Sequence, residues 1–258
     1  MAVEIHPSSV IEPGARLGEG VRIGPFCHVG PEVELGDGVV LKSHAVVDGR
    51  TRLGAGCEIW PFASVGGKTQ DLKYKGGSPG LIVGERTVIR ECATLSCATD
   101  DGKETVVGDD CLIMAYCHVA HDCIVGNHVI MSNGATLAGH VQVGDWAVLA
   151  GYAGIHQFVR IGTMAMVGAC SKAVKDVPPY MLCDGDPLKI FGPNKVGLER
   201  RGLSPETRAA ILQAYKLVYR SNFLTAEALA RIEAEVPPFP EVAHFVDFIR
   251  HSERGITR

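Results

Sequence analysis

The stretch VGDDCLIMAYCHVAHDCIVGNHVIMSNGATLAGHVQVGDWAVLAGYAGIHQFVRIGTMAMV, Val107 to Val167, repeats neither every second residue nor every 3.6, but every sixth. An aliphatic residue opens each sextet: Val107, Ile113, Val119, Val125, Met131, Leu137, Val143, Leu149, Ile155, Ile161 and Val167. Hexapeptides of this kind are the signature of a parallel β-helix, an all-β solenoid. Each short strand turns one aliphatic side chain into a triangular prism, and three sextets close a coil. No coil buries its apolar side alone, so coils must stack at the sheet spacing of roughly 4.8 Å.

The same phase runs through the start of the chain, from Ile5, Ile11, Leu17 and Ile23 to Ile59 and Val65, and returns at Val83, Ile89 and Leu95. Glycine often follows the aliphatic residue, as at Gly18, Gly36, Gly54, Gly108, Gly126 and Gly144. The expectation is that the prism turns its corner there, where a residue without Cβ adopts unusual φ and ψ at little cost. Asp71, Gly77 and Asp101 break the phase and mark two excursions, 67–80 and 96–105. On a solenoid these become loops that leave the wall, favoured places for function.

With 46% hydrophobic and 21% charged residues, 31 glycines and 14 prolines, the chain is neither disordered nor collagen-like. A net charge of -4 argues against a general nucleic-acid binder. The nine cysteines are odd in number, scattered through the repeat and preceded by no secretion signal. They read as small buried thiols of a reducing cytoplasm, the expected location. No run reaches the ~18 apolar residues of a transmembrane segment.

After Ala173 the register gives way to KDVPPYMLCDGDPLKIFGPN, whose prolines and glycines suggest an extended linker. The β-helix is therefore assigned to 1–190 and a helical domain to 191–258. Ser204 followed by Pro205 is a helix start, with Ile211, Leu212, Tyr215 and Val218 on its apolar face. Further helices are expected from Thr225 to Glu235 and from Pro240 to about His251. This region carries ten Lys and Arg against eight Asp and Glu, slightly basic beside an acidic prism.

Histidines concentrate the chemistry. One coil beyond His121 lies Gly139, followed by His140, and two coils beyond lies Gln157, preceded by His156. These residues should line one edge of the prism, a row of imidazoles that packing does not require, and His118 lies beside them in the repeat. The spacing does not favour zinc over acid–base use. In His121-Asp122 an imidazole, able to take a proton from a hydroxyl, stands next to a carboxylate able to orient it. No GxSxG elbow is present and no cysteine is paired with a base in a recognisable motif, so direct transfer to a hydroxyl is favoured over a covalent protein intermediate.

Several segments go further than the repeat. IGPFCHVG, Gln70-Asp71-Leu72-Lys73-Tyr74, Ile89-Arg90-Glu91, HVAHDCIVGN, ATLAGHV, Ile155-His156-Gln157-Phe158, DVPPY, GLERRG and AYKLVYRS together make the chain resemble the bacterial UDP-N-acetylglucosamine O-acyltransferase family along essentially its whole length. The resemblance implies a left-handed β-helix with a C-terminal helical domain that binds acyl carrier protein. It implies a cytoplasmic homotrimer that moves a 3-hydroxyacyl chain from the carrier to the sugar 3-hydroxyl at the start of lipid A synthesis. No cofactor is held permanently; 4'-phosphopantetheine comes with the carrier.

Carried onto this sequence, the resemblance makes His121 the general base, Asp122 its orienting partner and the Gly139 amide a donor to the thioester oxyanion. Asp71 and Lys73, reaching from a neighbouring subunit, would meet the sugar and diphosphate, with His118, His140, His156 and Gln157 completing the polar wall. Asn194, Arg200 and Arg201 match positions near nucleotide and phosphopantetheine; Arg201, Lys216 and Arg220 would steer the acidic carrier. Met166, Gly168 and Ala169 would line the acyl groove. Two departures stand out: Ser96-Cys97-Ala98-Thr99 replaces a family segment with a basic pair, and Val196 replaces a carboxylate. They leave open an acceptor with a 3-amino group; a non-catalytic hexapeptide-repeat binding protein is a separate alternative.

Overall fold

The computed structural model describes residues 2–258, and it builds a prism with three walls, parallel sheets of eleven, nine and eight strands apart from one antiparallel hairpin in the first. The walls open with Glu4–Ile5, Val10–Ile11 and Arg16–Leu17, and most strands are only two residues long. Ile23 pairs with Leu41, Val119 with Leu137 and Val125 with Val143, each one 18-residue coil apart. Because the aliphatic position repeats in this register, it stacks into continuous interior ladders; Leu41, Ile59, Ile113, Met131, Leu137 and Leu149 are among the largest fully buried side chains.

Two residues ahead of each aliphatic position a second interior site is filled, by valine at Val33, Val129 and Val141 and at many coils by smaller side chains. Ala45, Ala63, Ala93 and Ala135 occupy this register, and so do Cys27, Cys57, Cys111, Cys117 and Cys123. Five of the cysteines are thus alanine-sized fillers. Burial pushes the Cys57, Cys111 and Cys117 thiols up to about 11 and Cys123 to about 12. Not all nine are buried, however: Cys92 is half-buried and Cys170 is exposed at a corner.

The corner glycines correct the sequence reading. At most corners, though not at Gly66, where the first excursion leaves, the left-handed backbone falls three residues after the aliphatic position rather than one, and is carried by Phe26, His44, Asp110, Asp122, His140 and Trp146 among others. The glycine directly after the aliphatic residue serves close approach between coils instead. A Cβ on Gly108 would lie 2.6 Å from the carbonyl oxygen of Gly126 one coil on, and one on Gly36 would lie 2.7 Å from the Ala55 amide nitrogen.

Both excursions leave at the same corner, between the second and third walls. The first separates Ser64–Gly67 from Gly80–Val83 and the second separates Thr94–Ser96 from Glu104–Val107. The ladder closes beneath them without a gap, because Leu53 pairs with Val83 and Val83 with Val107.

The segment after Ala173 is not an extended linker. Leu182 and Cys183 pair with Met166 and Val167, and Met181–Asp184 folds back on Lys189–Pro193 as an antiparallel hairpin that continues the first wall. Buried Asp176 helps seal this end, accepting hydrogen bonds from Arg160 N–H and the Ser252 hydroxyl. Four helices follow. α1 (Lys195–Arg200), absent from the sequence reading, is capped by Asn194. α2 (Pro205–Tyr219), with Ser204 as its N-cap, packs Ile211, Ala214 and Val218 toward α3 (Thr225–Glu235) and α4 (Pro240–Arg250).

Candidate active site

The corner between the second and third walls carries Ala120-His121-Asp122, Ala138-Gly139-His140 and His156-Gln157-Phe158 on three successive coils. His140 N–H donates to His121 O at 3.1 Å and Phe158 N–H to Gly139 O at 3.1 Å. His121, Gly139 and Gln157 therefore form one column, and Asp122, His140 and Phe158 the next. His140 stacks on Phe158, with centroids 4.5 Å apart, and meets the His121 ring edge-on at 5.2 Å.

His121 Nδ1 lies 2.7 Å from Asp122 Oδ2, and the two side chains are only 16% and 14% exposed. Asp122 is held on its other oxygen as well: Thr99 N–H donates to Oδ1 at 3.2 Å, and the Asp122 amide donates to Thr105 Oγ1 at 2.9 Å. Burial alone would raise this carboxyl, but the hydrogen bonds from His121 and Thr99, with His140 nearby, outweigh it and hold the group below its ordinary value. An ionised Asp122 only accepts, so the short bond places a ring proton on Nδ1, and the neutral form of the ring then carries its lone pair on Nε2. His140 Nε2 stands 3.7 Å from the same carboxylate oxygen.

This direction fixes a sign. A carboxyl lower in the folded than in the unfolded chain contributes stability that is fully present above the unfolded value of about 3.9 and is lost as pH falls through the folded value. Asp122→Asn is expected to reduce the loss of melting temperature between pH 5 and 3 relative to the parent chain. Thermal melts of both proteins across that range check it, and parallel curves would count against the shift.

His121 Nε2 faces the Asp71 carboxylate of its own chain, 3.9 Å away. That corrects the expectation that Asp71 reaches in from a neighbour: the first excursion folds back over its own prism. The loop shapes itself around Asp71, whose Oδ1 accepts from Lys73 N–H at 2.8 Å while its amide donates to Thr69 Oγ1 at 3.1 Å; Lys73 is exposed. His118 shares a 2.7 Å hydrogen bond with Thr94 Oγ1, and burial, then the nearby His121, keeps it below its ordinary value.

Gly139 lies under the His121 ring, so that an added Cβ would sit 2.6 Å from Nε2. In the same corner register, two residues after the aliphatic one, stand Pro7, Pro13, Pro25, Pro31 and Pro61. A position that proline can occupy is one whose N–H the scaffold does not need. Among the described residues no acceptor is paired with Gly139 N–H, so it is available beside the base. His121, Asp122 and His140 also bring ligand atoms within 4.8 Å of one another, close enough to hold a cation. The 2.7 Å bond instead engages two of these groups with each other as an acid–base pair.

Other expected residues lie elsewhere on the chain. Asn194 is occupied structurally: its Oδ1 accepts from Gly197 N–H at 3.1 Å and its Nδ2 donates to Met164 O at 3.0 Å. The Arg201 guanidinium lies 3.6 Å over the Trp146 ring, which stacks on His128 at 3.7 Å. Met164 and Trp146 belong to the corner between the third and first walls, so one chain does not bring Asn194 and Arg201 to His121. Gly168 and exposed Ala169 lie at the remaining corner, following the half-buried Met166. Arg200 and Lys216 are exposed, and Arg220 Nε donates to the Tyr215 hydroxyl at 3.0 Å. His156 and Gln157 are exposed, and His156 Nδ1 is 3.4 Å from Arg254. Thr99, Thr105 and Phe158 were missed. The 18-residue step from His140 identifies Phe158, whereas Thr99 lies where the register is broken.

A hexapeptide prism with a half-buried His–Asp pair at one corner and a helical domain at one end is the build of a hexapeptide-repeat acyltransferase. The bacterial transferase hexapeptide pattern matches residues 14–49 and 104–139, and the second domain of UDP-N-acetylglucosamine O-acyltransferase matches 176–257. The chain is 48% identical to the acyl-[acyl-carrier-protein]–UDP-N-acetylglucosamine O-acyltransferase of Chlamydia abortus over 98% of its own length and 91% of that protein. It is 46% identical to the enzyme of the same description from an Anaeromyxobacter species, over 98% and 99%. The crystal structure of the UDP-N-acetylglucosamine acyltransferase from Bacteroides fragilis superposes with a TM-score of 0.96 at 39% identity, covering 98% of this chain and all of that one. The chain belongs to the UDP-N-acetylglucosamine O-acyltransferase family, and its prism is the family's left-handed β-helix.

Proposed function

We propose that the chain transfers a 3-hydroxyacyl group from acyl carrier protein to the 3-hydroxyl of UDP-N-acetylglucosamine, the opening step of lipid A synthesis, with His121 as general base. The observation that carries this is the 2.7 Å Nδ1 to Oδ2 bond, which leaves Nε2 open beside the unpaired amide of Gly139. His121 Nε2 takes the hydroxyl proton as the sugar oxygen attacks the thioester carbonyl. The resulting oxyanion receives Gly139 N–H, a contact stronger in the tetrahedral state than in the ground state. Collapse breaks the carbon–sulfur bond, and the proton on Nε2 passes to the departing thiol of the carrier's phosphopantetheine. Asp122 balances the imidazolium in between.

Asp71 and Lys73 bind the nucleotide sugar, with His118, His140, His156 and Gln157 along the polar wall. The complete site is shared within a homotrimer. In support, Asn194 and Arg201 and the pair Gly168-Ala169 stand on other corners than His121, so one corner of each prism must face a different corner of its neighbour to assemble them. The corner after the first wall also exposes Phe26 (60%), Phe62 (61%), Tyr116 (69%) and Tyr152 (72%), an apolar strip suited to a neighbouring prism. Arg201, Lys216 and Arg220 steer the acidic carrier toward the site. Among the described residues no helix is long and apolar enough to cross a membrane.

Incubation with UDP-N-acetylglucosamine or its 3-amino counterpart and a set of 3-hydroxyacyl carriers, read by mass spectrometry, tests the reading. A hydroxylamine-labile ester on the first sugar is the expected product. An amide formed only on the second would replace the acceptor, and no product with any pair would end the proposal.

Chain length gives a separate prediction. An added Cβ on Gly168 would press on the Asp184 side chain, 3.0 Å from its Cβ, so there is little room for a side chain there, whereas Ala169 is exposed and sets the local width. A methylene contributes only ~0.8 kcal/mol by burial, but overpacking a groove costs about 1–3 kcal/mol. Ala169→Met is expected to shift kcat/KM toward shorter donors by about tenfold per two carbons. Competition between donors differing by two carbons measures it, and an unchanged ratio would remove Ala169 from the groove.

A further inference from the structure

The two excursions are stitched to each other by polar contacts that the chemistry above does not use. Arg50, at the start of Arg50–Leu53, lies beneath both loops. Its Nε donates to Ser78 O at 3.0 Å, its Nη1 pairs with Glu104 Oε1 at 3.0 Å and its Nη2 donates to Lys103 O at 3.4 Å. Asp101 closes the pair from above, its Oδ1 accepting from Ser78 N–H at 2.7 Å. Gly77, at φ 110, lets the first loop pass so near Asp101 that an added Cβ would come 2.9 Å from its Cβ. Thr69 and Thr99 share a 3.2 Å hydroxyl contact farther along. A cavity of about 240 Å³ lies between the first loop and the prism, bordered by Arg50, Lys68 and Tyr74. Apolar packing therefore does not seat this loop, and its position depends on the polar ties.

What these loops carry gives the ties a consequence. The first presents Asp71 to His121 Nε2, and the second presents the Thr99 amide to Asp122 Oδ1. We infer that Arg50 and Asp101 are positioning residues for the transfer reaction: they lock the two loops into one body, so that Asp71 and the Thr99 amide hold fixed places on opposite sides of the His121–Asp122 pair. This rests on the reading of His121 as the base. A planar guanidinium suits the task because its rigid fork reaches three acceptors on two segments at once. Asp101 uses a single oxygen as acceptor here, and its partner is a neutral amide, so an asparagine carbonyl can replace it.

Three variants separate the parts. Asp101→Ala removes the acceptor, Asp101→Asn keeps it, and Arg50→Met keeps the length of the stem without the fork. Hydrogen–deuterium exchange of peptides covering 68–79 and 97–103 is expected to quicken at least about tenfold in Asp101→Ala and Arg50→Met and to stay at the parent rate in Asp101→Asn. In the first two, kcat is expected to fall about tenfold through misplacement of the reacting groups, with Asp101→Asn close to the parent. Combined with Asp122→Ala, Asp101→Ala should cost less than it does alone, because only its hold on Asp71 then remains to be lost. Unchanged exchange would overturn the brace. Faster exchange with normal kcat, or an equal loss without Asp122, would overturn the positioning role. Normal turnover in His121→Ala would overturn the base assignment while leaving the exchange result standing, so the two failures are read apart.

Discussion

Turnover of His121→Ala is expected to fall about 10²- to 10⁴-fold, the range that a positioned general base contributes. The prism should survive the change. His121 lies at a corner outside the aliphatic ladders, and the backbone bond that its carbonyl accepts from His140 N–H does not depend on the ring. The remaining cost is an Asp122 carboxylate without its imidazole, though it still accepts from Thr99 N–H. Steady-state kcat beside a thermal melt provides the check. A folded variant with near-parent kcat would eliminate His121 as the base, whereas loss of folding would place the ring in the scaffold.

The fold was legible because the sextet aliphatic position is set by one physical demand, an interior that accepts one branched side chain per wall per coil. That demand is repeated so often that two interruptions stand out as loops. The corners were less legible. Glycine after Leu35 or Val107 reads as a backbone requirement, yet the constraint comes from a neighbouring coil, seen only once the coils are stacked. The segment around Met181–Asp184 was hidden for a similar reason: its prolines and glycines signal irregular chain, and only pairing with Met166 and Val167 makes it a strand.

The site was legible where it follows the 18-residue step. His121, Gly139 and Gln157 differ by whole coils, which stacks them with no further information. Asp71 and Thr99 are not reached by counting, because each sits in an excursion whose path is set by contacts with Arg50, Ser78 and Asp101 rather than by the repeat. The placement of Ala169 and His121 at different corners follows from the same arithmetic, since the two belong to different phases of one coil, whereas Arg201 follows α1 and meets the third corner through its contact with Trp146.

Gly139→Ala is the second large effect, and it separates ring placement from the amide. Gly139 is not a left-handed position, so alanine suits the backbone; the conflict is with the His121 ring, 2.6 Å from the added Cβ at Nε2. That ring is held by Asp122 at 2.7 Å and bordered edge-on by His140. Making room for the methyl must break the alignment with Asp122 or turn Nε2 away from the acceptor, and kcat is expected to fall about 10²-fold or more, as misplacement by about an ångström does. Melting temperature should change little, because the displaced group is not in the core. Alanine keeps its N–H, so the loss should disappear in the double variant: with His121→Ala already present, adding Gly139→Ala removes no further activity. A double-mutant cycle on kcat measures this directly. Parent-level kcat in the single variant would show that the ring yields without consequence. A full additional loss in the double variant would show instead that the methyl acts on the substrate or the oxyanion, independently of the base.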